Sequence, residues 1–230
     1  KRLILSVGYY LEWMPQHIHV KKQVRNGKIG RVINITVHDE ILGIKPEEGI
    51  ISDLGPHYID LIRWYFEGMR INRVFAVSRK YGDNPDYKET VAEIKLFFES
   101  GIIGNVEMYW VPGFVNRDGG SKYLKVLGTA GKYSCGLTSG SIEVYRGNTL
   151  LNRIRGPYEF VPKYVAIPEM PLQATSFRKE LEDFITSIID KRDPQVPGTV
   201  GLEIARIIEA CMEAISTQSI VTIGTAHGNT

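Results

Sequence analysis

Short runs rich in apolar residues follow one another through the middle of the chain, from about residue 73 to residue 155. Such runs, separated by turn residues, predict strands. Turn residues divide the region into seven predicted strands, at residues 73–81, 90–100, 102–112, 123–129, 132–138, 141–147 and 149–156. Because the links between them are short, these strands predict a large sheet that is antiparallel or mixed.

On either side of this region, the spacing of apolar residues changes. The front predicts a buried strand at residues 2–10, a helix at 16–30 and a second strand at 31–41. The end predicts two amphipathic helices, at residues 172–192 and 200–217, because apolar residues recur there every three or four positions. A last strand is predicted at 219–223. The first of these two helices should bury Phe177, Leu181, Phe184, Ile185 and Ile188.

Composition and charge indicate the broad class of protein to which this chain belongs. Apolar residues make up 43% of the 230 residues and charged residues 23%, which is ordinary for a soluble globular protein. A net charge of +2 predicts neither a nucleic-acid partner nor a membrane surface, and no apolar run could cross a bilayer. Cys135 and Cys211 are far apart in the sequence, which favours a reducing compartment. These features predict a cytoplasmic protein.

The stretch ISDLGPHYIDLIRW, residues 51–64, predicts a helix that carries candidate chemistry. Ser52 or Asp53 can serve as its N-cap, with Pro56 in the first turn. Asp53 and His57 are four residues apart, so the carboxylate can reach the imidazole. The carboxylate favours the imidazolium while the helix N-terminus disfavours it, and such opposed effects suit a proton-transfer group. Alternatively, Asp53 is only a cap and His57 an ordinary first-turn residue.

The third polar residue of this helix, Asp60, is better explained as a surface residue or as a salt-bridge partner of Arg63 or Arg25. No metal site is predicted, because no metal-binding motif occurs and His17 and His19 fall on different faces of their helix.

Nucleotide-binding motifs are absent from the sequence. No two glycines are separated by a single residue, which excludes the dinucleotide fingerprint GxGxxG, and no phosphate-binding GxxxxGK[ST] pattern occurs. The aromatic stretch YYLEW, residues 9–13, follows the first predicted strand. Its side chains either line a ligand site at the strand end or belong to the core or to an interface.

The order of these pieces, from Lys1 to Gly224, resembles the glucose-fructose oxidoreductase / inositol dehydrogenase (Gfo/Idh/MocA) family of NAD(P)-dependent sugar dehydrogenases. The most specific part is GIISDLGPHYID, residues 49–60, which is similar to the family pattern GG-x-x-x-D-x-G-x-H-x-x-D with one glycine missing. TAGKYS at residues 129–134 and the stretch at 181–216 are also similar to that family.

This resemblance implies roles for individual residues. His57 would be the catalytic acid/base at the sugar hydroxyl that is oxidised, and Asp53 would be its partner. Tyr10 and Trp13 would bind substrate near the nicotinamide, and Glu12 stands where family members often carry an arginine. The cofactor-binding residues remain unknown from the sequence.

The resemblance also implies an α+β fold: a large, mostly antiparallel open sheet with helices on one face, preceded by a strand-helix remnant of a Rossmann domain. The expected divisions are residues 1–30 for the remnant, 31–224 for a substrate-binding and oligomerisation domain, and 225–230 for a tail. Family members begin with a full Rossmann domain that carries GxGxxG and a catalytic Glu-Lys-Pro lysine. Neither occurs here, so the chain would be a fragment, one half of a split enzyme with a separate Rossmann-domain chain, or a natural truncation.

The expected function is therefore the substrate and oligomerisation part of an NAD(P)-dependent oxidoreductase that acts on a secondary alcohol of a sugar, sugar nucleotide or cyclitol. The complete enzyme would use NAD or NADP, and this chain alone should bind neither tightly. The alternative is a non-catalytic binding or assembly module with the same fold. The family also implies a homo-oligomer through the sheet face, where Val106, Met108 and Trp110 are either interface or core residues.

Overall fold

The computed structural model describes residues 3–42, 49–81, 88–111, 121–146, 149–154 and 172–224. The chain divides into two compact units. Unit 1 contains residues 1–32 and 123–203, and unit 2 contains residues 33–122 and 204–230. The predicted tail at 225–230 lies outside the described residues. The predicted boundary at residue 30 remains a prediction.

Unit 2 is built on five strands. They are β1 (Val32–Leu42), β2 (Ile71–Arg79), β3 (Val91–Phe98), β4 (Ile103–Val111) and β9 (Val221–Thr222), in the spatial order β1-β4-β3-β2-β9. The β1–β4 pair is parallel, and the pairs β4–β3, β3–β2 and β2–β9 are antiparallel. The predicted strands of this unit are confirmed, and in β3 and β4 every second residue is buried, as expected for a strand with one buried face.

The two faces of this sheet differ in polarity. Val106, Met108 and Trp110 of β4 are buried on one face. Helix α2 (Ile50–Tyr65) covers that face, since a Cβ added to Gly104 would lie 3.1 Å from Cγ2 of Ile62. Of the two alternatives left open by the sequence, interface or core, the three β4 residues are therefore core residues. The face itself is closed by a helix of the same unit.

Unit 1 contains the other four strands. They are β5 (Lys122–Gly128), β6 (Gly131–Gly136), β7 (Ile142–Arg146) and β8 (Thr149–Ile154), paired antiparallel in the order β8-β7-β6-β5. The β5–β6 turn lies against the loop that ends the first helix, where the Ala130 N–H donates to the Ile29 carbonyl. A Cβ at Gly128 would lie 2.2 Å from that carbonyl oxygen, so only glycine fits there. Together, the two units confirm an α+β fold whose strand pairs are mostly antiparallel.

The predicted strand at residues 2–10 does not form over the part that is described. Residues 3–9 make one isolated bridge, between Ser6 and Pro197, and the Val7 N–H donates to the Val196 carbonyl. A strand needs a ladder along its length, and among the described residues this segment has only that one bridge. A short 3₁₀ helix, Tyr10–Trp13, follows it, and helix α1 (Pro15–Arg25) confirms the next prediction.

Two helices complete the fold, α3 (Leu172–Asp190) and α4 (Gly198–Thr217), as predicted. Helix α4 buries Ile204, Ile207 and Cys211 of its apolar stripe, and Ile208 and Ile215 are half-buried. On α3 the predicted residues are not buried. Its apolar side chains are exposed by about half or more at Phe177, Leu181, Ile185 and Ile188, and Phe184 is half-buried. The amphipathic period of α3 was read correctly, but most of its apolar face is exposed, and the Tyr10 ring contacts it at Phe177.

Candidate active site

The helix that carries Asp53 and His57 begins earlier than predicted. Its N-cap is Gly49, which adopts a φ of 92°, and the Asp53 N–H donates to the Gly49 carbonyl at 3.1 Å. Ser52 and Asp53 are therefore first-turn residues and not caps, and Pro56 falls in the second turn. Gly49 decides the start, because a positive φ is cheap only for glycine.

The start of α2 is held by a residue that sequence reasoning missed. Glu89, just before β3, accepts a hydrogen bond from the Ile51 N–H at its Oε1 (3.3 Å) and one from the Ile50 N–H at its backbone carbonyl (3.3 Å). A carboxylate at a helix N-terminus accepts hydrogen bonds from N–H groups that have no partner within the helix, and its negative charge interacts favourably with the helix dipole. A Cβ at Gly49 would lie 2.4 Å from Oε1 of Glu89. No local signal marks this contact, because the two residues are 40 apart in the sequence.

Asp53 and His57 lie on this helix, one turn apart, as predicted. The Asp53 side chain is exposed, whereas His57 is half-buried and its Nδ1 is shielded from solvent. Burial lowers the pKa of His57 below its ordinary value, and the negative charge of Asp53 opposes that shift. Burial is the larger effect, so the ring is neutral at neutral pH and can accept a proton. From the sequence, the effect expected to lower the pKa of His57 against the charge of Asp53 was the helix N-terminus. In the structure, that effect is burial.

Asp60 is fully buried and not at the surface, but its predicted partner is confirmed. Arg63 donates to Asp60 Oδ1 from Nη2 at 3.0 Å and from Nε at 3.2 Å. Buried charges are found where they are paired, and this pair explains the aspartate without a catalytic role.

A second buried carboxylate lies on the helix-covered side of the unit 2 sheet. Tyr58, the residue after His57, donates its hydroxyl to Asp39 Oδ2, and Lys122 Nζ lies 2.8 Å from Asp39 Oδ1. Asp39 thus ties β1 to α2 at Tyr58, the next residue after the candidate histidine. No sequence pattern pointed to this cluster, because its three members are distant from one another along the chain.

The predicted substrate residues Tyr10 and Trp13 lie in unit 1, on the 3₁₀ helix. The Tyr10 ring contacts Phe177 of α3, with ring centroids 4.6 Å apart. Trp13 is half-buried, and its Nε1 has no hydrogen-bond acceptor among the described residues. Between them, Glu12 is buried and accepts a hydrogen bond at 2.8 Å from Nε2 of Gln195. Tyr10 and Trp13 lie together on the 3₁₀ helix, and Asp53 and His57 lie one turn apart on α2. That the first two bind substrate and the last two transfer its proton remains a prediction.

The front of the chain does not fit the pyrophosphate of a dinucleotide. That site needs a strand, a glycine-rich turn and a helix N-terminus in succession. After Gly8, the chain forms the 3₁₀ helix and then α1, and no glycine occurs before Gly27. In the described ranges there is also no cluster of three or more His, Cys, Asp or Glu that could hold a metal ion, and no helix long and apolar enough to span a membrane.

A family profile matches most of the chain. The profile of the Gfo/Idh/MocA oxidoreductase family, described as its C-terminal alpha/beta domain, matches residues 21–223. Among curated proteins, inositol 2-dehydrogenase 2 of Saccharopolyspora erythraea is 23% identical over 226 residues, which cover 96% of this chain and 62% of that protein. Inositol 2-dehydrogenase of Rubrobacter xylanophilus is 26% identical over 159 residues, which cover 66% of this chain and 44% of that protein.

Solved structures support the same fold. An oxidoreductase from Agrobacterium radiobacter, in complex with NAD+, L-tartaric acid and magnesium, superposes with a TM-score of 0.75 at 19% identity. The match covers 96% of this chain and 66% of that one. Aldose-aldose oxidoreductase from Caulobacter crescentus, complexed with glycerol, gives a TM-score of 0.71 at 19% identity over 95% of this chain and 64% of that one. This chain therefore spans less than two thirds of the length of each of these four relatives.

Proposed function

The chain belongs to the Gfo/Idh/MocA oxidoreductase family, as its C-terminal alpha/beta domain, and from this membership we propose that it is the substrate-binding and oligomerisation part of an NAD(P)-dependent oxidoreductase. Residues 31–224 form that part. The substrate is a secondary alcohol of a sugar, a sugar nucleotide or a cyclitol, and the two inositol 2-dehydrogenases among its relatives favour the cyclitol. The observation that carries the proposal is a half-buried, neutral histidine, His57, with a carboxylate one helical turn before it.

His57 acts as the base in this proposal. When an alcohol carbon loses hydride, the hydroxyl proton must also leave, and a side chain that accepts it lowers the barrier. Because Nδ1 of His57 is shielded, Nε2 is the nitrogen that meets the substrate hydroxyl. The lowered pKa keeps the ring unprotonated at neutral pH, and the charge of Asp53 stabilises the imidazolium that forms when the proton arrives.

The start of α2 positions these two residues. Glu89 and Gly49 fix the first turn, and the Tyr58–Asp39 hydrogen bond fixes the third turn against β1. A base must be held within hydrogen-bond reach of its substrate, so a helix fixed at both turns suits this role.

Tyr10 and Trp13 contact the substrate in this proposal. The buried indole N–H of Trp13 supports it, because a buried donor without an acceptor costs free energy unless a ligand or water accepts from it. NAD or NADP is held by a dinucleotide-binding domain that the described residues do not supply. The 230-residue chain alone should bind neither cofactor tightly, which fluorescence titration with NADH and NADPH tests; tight binding would contradict the assignment.

The test of the catalytic role replaces His57 by asparagine in the complete enzyme. Turnover of a cyclitol such as inositol should fall by about 100-fold or more, the usual contribution of an acid/base group. The free energy of unfolding should change little. His19→Asn is the matched control, because His19 is also a half-buried helical histidine but belongs to α1. Equal turnover for wild type and His57→Asn would refute the assignment.

We further propose that the chain forms a homo-oligomer through the face of the unit 2 sheet opposite α2. That face carries Ile103, Asn105, Glu107 and Tyr109 of β4, all at least partly exposed. Glu107 accepts a hydrogen bond from His38 at 2.8 Å and Glu93 accepts one from Tyr109 at 2.7 Å, so these polar groups are hydrogen-bonded within the face. Analytical ultracentrifugation should show a dimer or larger assembly that Ile103→Lys weakens. A monomer at micromolar concentration would exclude this proposal.

A further inference from the structure

The four-residue 3₁₀ helix that carries Tyr10 and Trp13 cannot hold its place by itself. A single turn closes too few hydrogen bonds to be stable in isolation. Its orientation therefore depends on side chains that tie it to the rest of unit 1. Leu11 and Glu12 are both buried, each with 1% of its surface exposed. A buried leucine only needs apolar neighbours, but a buried carboxylate needs a hydrogen-bond donor.

Gln195 donates a hydrogen bond to this buried carboxylate. Its Nε2 lies 2.8 Å from Oε2 of Glu12, across 183 residues of sequence. Gln195 itself is exposed, so its side chain adds little to the packing of the core. What it adds is a directed contact between the 3₁₀ helix and the loop at residues 191–197. We call this contact the Glu12–Gln195 link.

The loop that presents Gln195 is fixed on both sides of that residue. The Gln195 N–H donates to Oδ2 of Asp183 on α3 at 2.8 Å, and Nη2 of Arg192 donates to Oδ1 of the same aspartate at 2.6 Å. The carbonyl of the next residue, Val196, accepts from the Val7 N–H at 3.0 Å. Because the backbone around Gln195 is hydrogen-bonded, the amide of its side chain is held at a defined position.

We infer that Gln195 is a positioning residue for substrate binding. Through Glu12, it holds the 3₁₀ helix in the orientation in which the two aromatic residues of that helix, Tyr10 and Trp13, meet the substrate. The inference rests on the proposed function, which assigns these two residues to the substrate. A helix that can turn presents them in the binding orientation for less of the time. Since the link is the same before and during hydride transfer, its loss weakens substrate binding and leaves the chemical step unchanged.

Two other roles of the same residues lead to different results. A link that only stabilises the fold would lower the free energy of unfolding and leave KM unchanged. A Glu12 carboxylate that binds a substrate hydroxyl by its charge would need that charge, whereas the link needs only an acceptor oxygen. Glu12→Gln separates these roles, because glutamine keeps the acceptor oxygen and loses the charge.

The experiment measures KM and kcat of the complete enzyme with inositol. Gln195→Glu removes the donor and sets two carboxylates against each other, so KM should rise about fivefold or more, with kcat and its pH dependence within about twofold of wild type. The double variant Glu12→Gln, Gln195→Glu exchanges donor and acceptor, and should return KM to within about twofold of wild type. Glu12→Gln alone should also leave KM within about twofold.

A second measurement follows the helix without the substrate. The Met14 N–H donates to the Leu11 carbonyl at 3.2 Å, at the end of the 3₁₀ helix. Hydrogen exchange of this amide in the complete enzyme should be faster in Gln195→Glu and return to the wild-type rate in the double variant. The control for both measurements is Arg178→Gln, which breaks an exposed pair with Glu182 within α3 and should change neither. Circular dichroism checks that every variant is folded.

Three results would overturn the inference. They are an unchanged KM in Gln195→Glu, a KM raised as much by Glu12→Gln as by Gln195→Glu, and a double variant that restores neither KM nor exchange. His57→Asn separates this inference from the proposed base. If His57→Asn is inactive and Gln195→Glu binds inositol as wild type does, only the present inference fails. If His57→Asn is fully active and KM follows the expected pattern, the base is wrong and the role of Gln195 stands.

Discussion

The buried histidine of α1 makes the stability of this protein depend on pH in a way that can be calculated. His17 is completely buried, and its Nε2 donates to the Leu137 carbonyl at 2.9 Å. Nδ1 then carries the lone pair and accepts from the Cys135 thiol, with the two atoms 3.6 Å apart. A second proton at Nδ1 would point toward the Cys135 sulfur, which is a weak acceptor. The folded protein therefore favours the neutral ring.

The magnitude follows from the pKa. Burial, partly offset by the hydrogen bond to Leu137, lowers the pKa of His17 from 6.5 to about 4. Between these values the unfolded chain binds the proton and the folded chain does not, so stability falls as the pH falls. The contribution is present in full above pH 6.5, is lost progressively down to about pH 4, and changes no further below that value. A difference of this size corresponds to about 3 kcal/mol of the free energy of unfolding.

Urea unfolding at pH 7.5, 6, 5 and 4, followed by circular dichroism, tests this value. Wild type and His17→Gln are compared, because glutamine can donate to Leu137 and does not titrate. Between pH 7.5 and pH 4, wild type should lose about 3 kcal/mol more than the variant. His19→Gln is the control: burial also lowers the pKa of His19, but that ring is only half-buried, so its difference from wild type should be smaller. If wild type and His17→Gln lose stability in parallel, His17 is protonated in the folded state without penalty and the reasoning fails.

Two further predictions concern stability and can be measured by urea unfolding at pH 7.5. Gly49→Ala should lower the free energy of unfolding by about 1–3 kcal/mol, because Gly49 has a positive φ and an added Cβ would clash with Glu89. The control is Gly27→Ala, which should lower it by about 1 kcal/mol, because Gly27 also has a positive φ but has open space around it. Equal losses would mean that Glu89 moves away freely. Arg63→Leu should destabilise by about 3 kcal/mol, because it leaves the buried carboxylate of Asp60 without its main cation. Arg178→Leu, which breaks an exposed pair, should be nearly neutral, and a comparable loss there would contradict that view.

The regular elements could be predicted because their physical signal is local. Each of the seven central strands is a short run rich in apolar residues between turn residues, and each helix repeats its apolar residues within a few turns. The family resemblance, confirmed by the profile match, came from the short stretch at 49–60 together with the order of the elements. The pair Asp53 and His57 was found by a spacing that a single helix fixes.

What the sequence did not reveal depends on residues that are distant along the chain. The start of α2 is set by Glu89, and no local pattern distinguishes that contact from an ordinary cap at Ser52 or Asp53. Asp60 is a polar residue on an amphipathic helix, yet the helix is buried on nearly all sides, so the usual rule that polar residues face water failed. The period of α3 indicates which residues share a face, but not whether the protein covers that face.

The parallel pairing of β1 with β4 has a consequence for the order of assembly. Strands β2, β3 and β4 follow one another antiparallel, so their contacts close over short loops and can form early. Asn34 of β1 pairs with Ile103, 69 residues later, and this contact must wait until α2 and both intervening strands have been made. During synthesis β1 leaves the ribosome before these strands but must remain unpaired until β4 emerges. Its Ile35 and Val37, buried in the finished protein, are then exposed to water and to any chaperone that protects such strands.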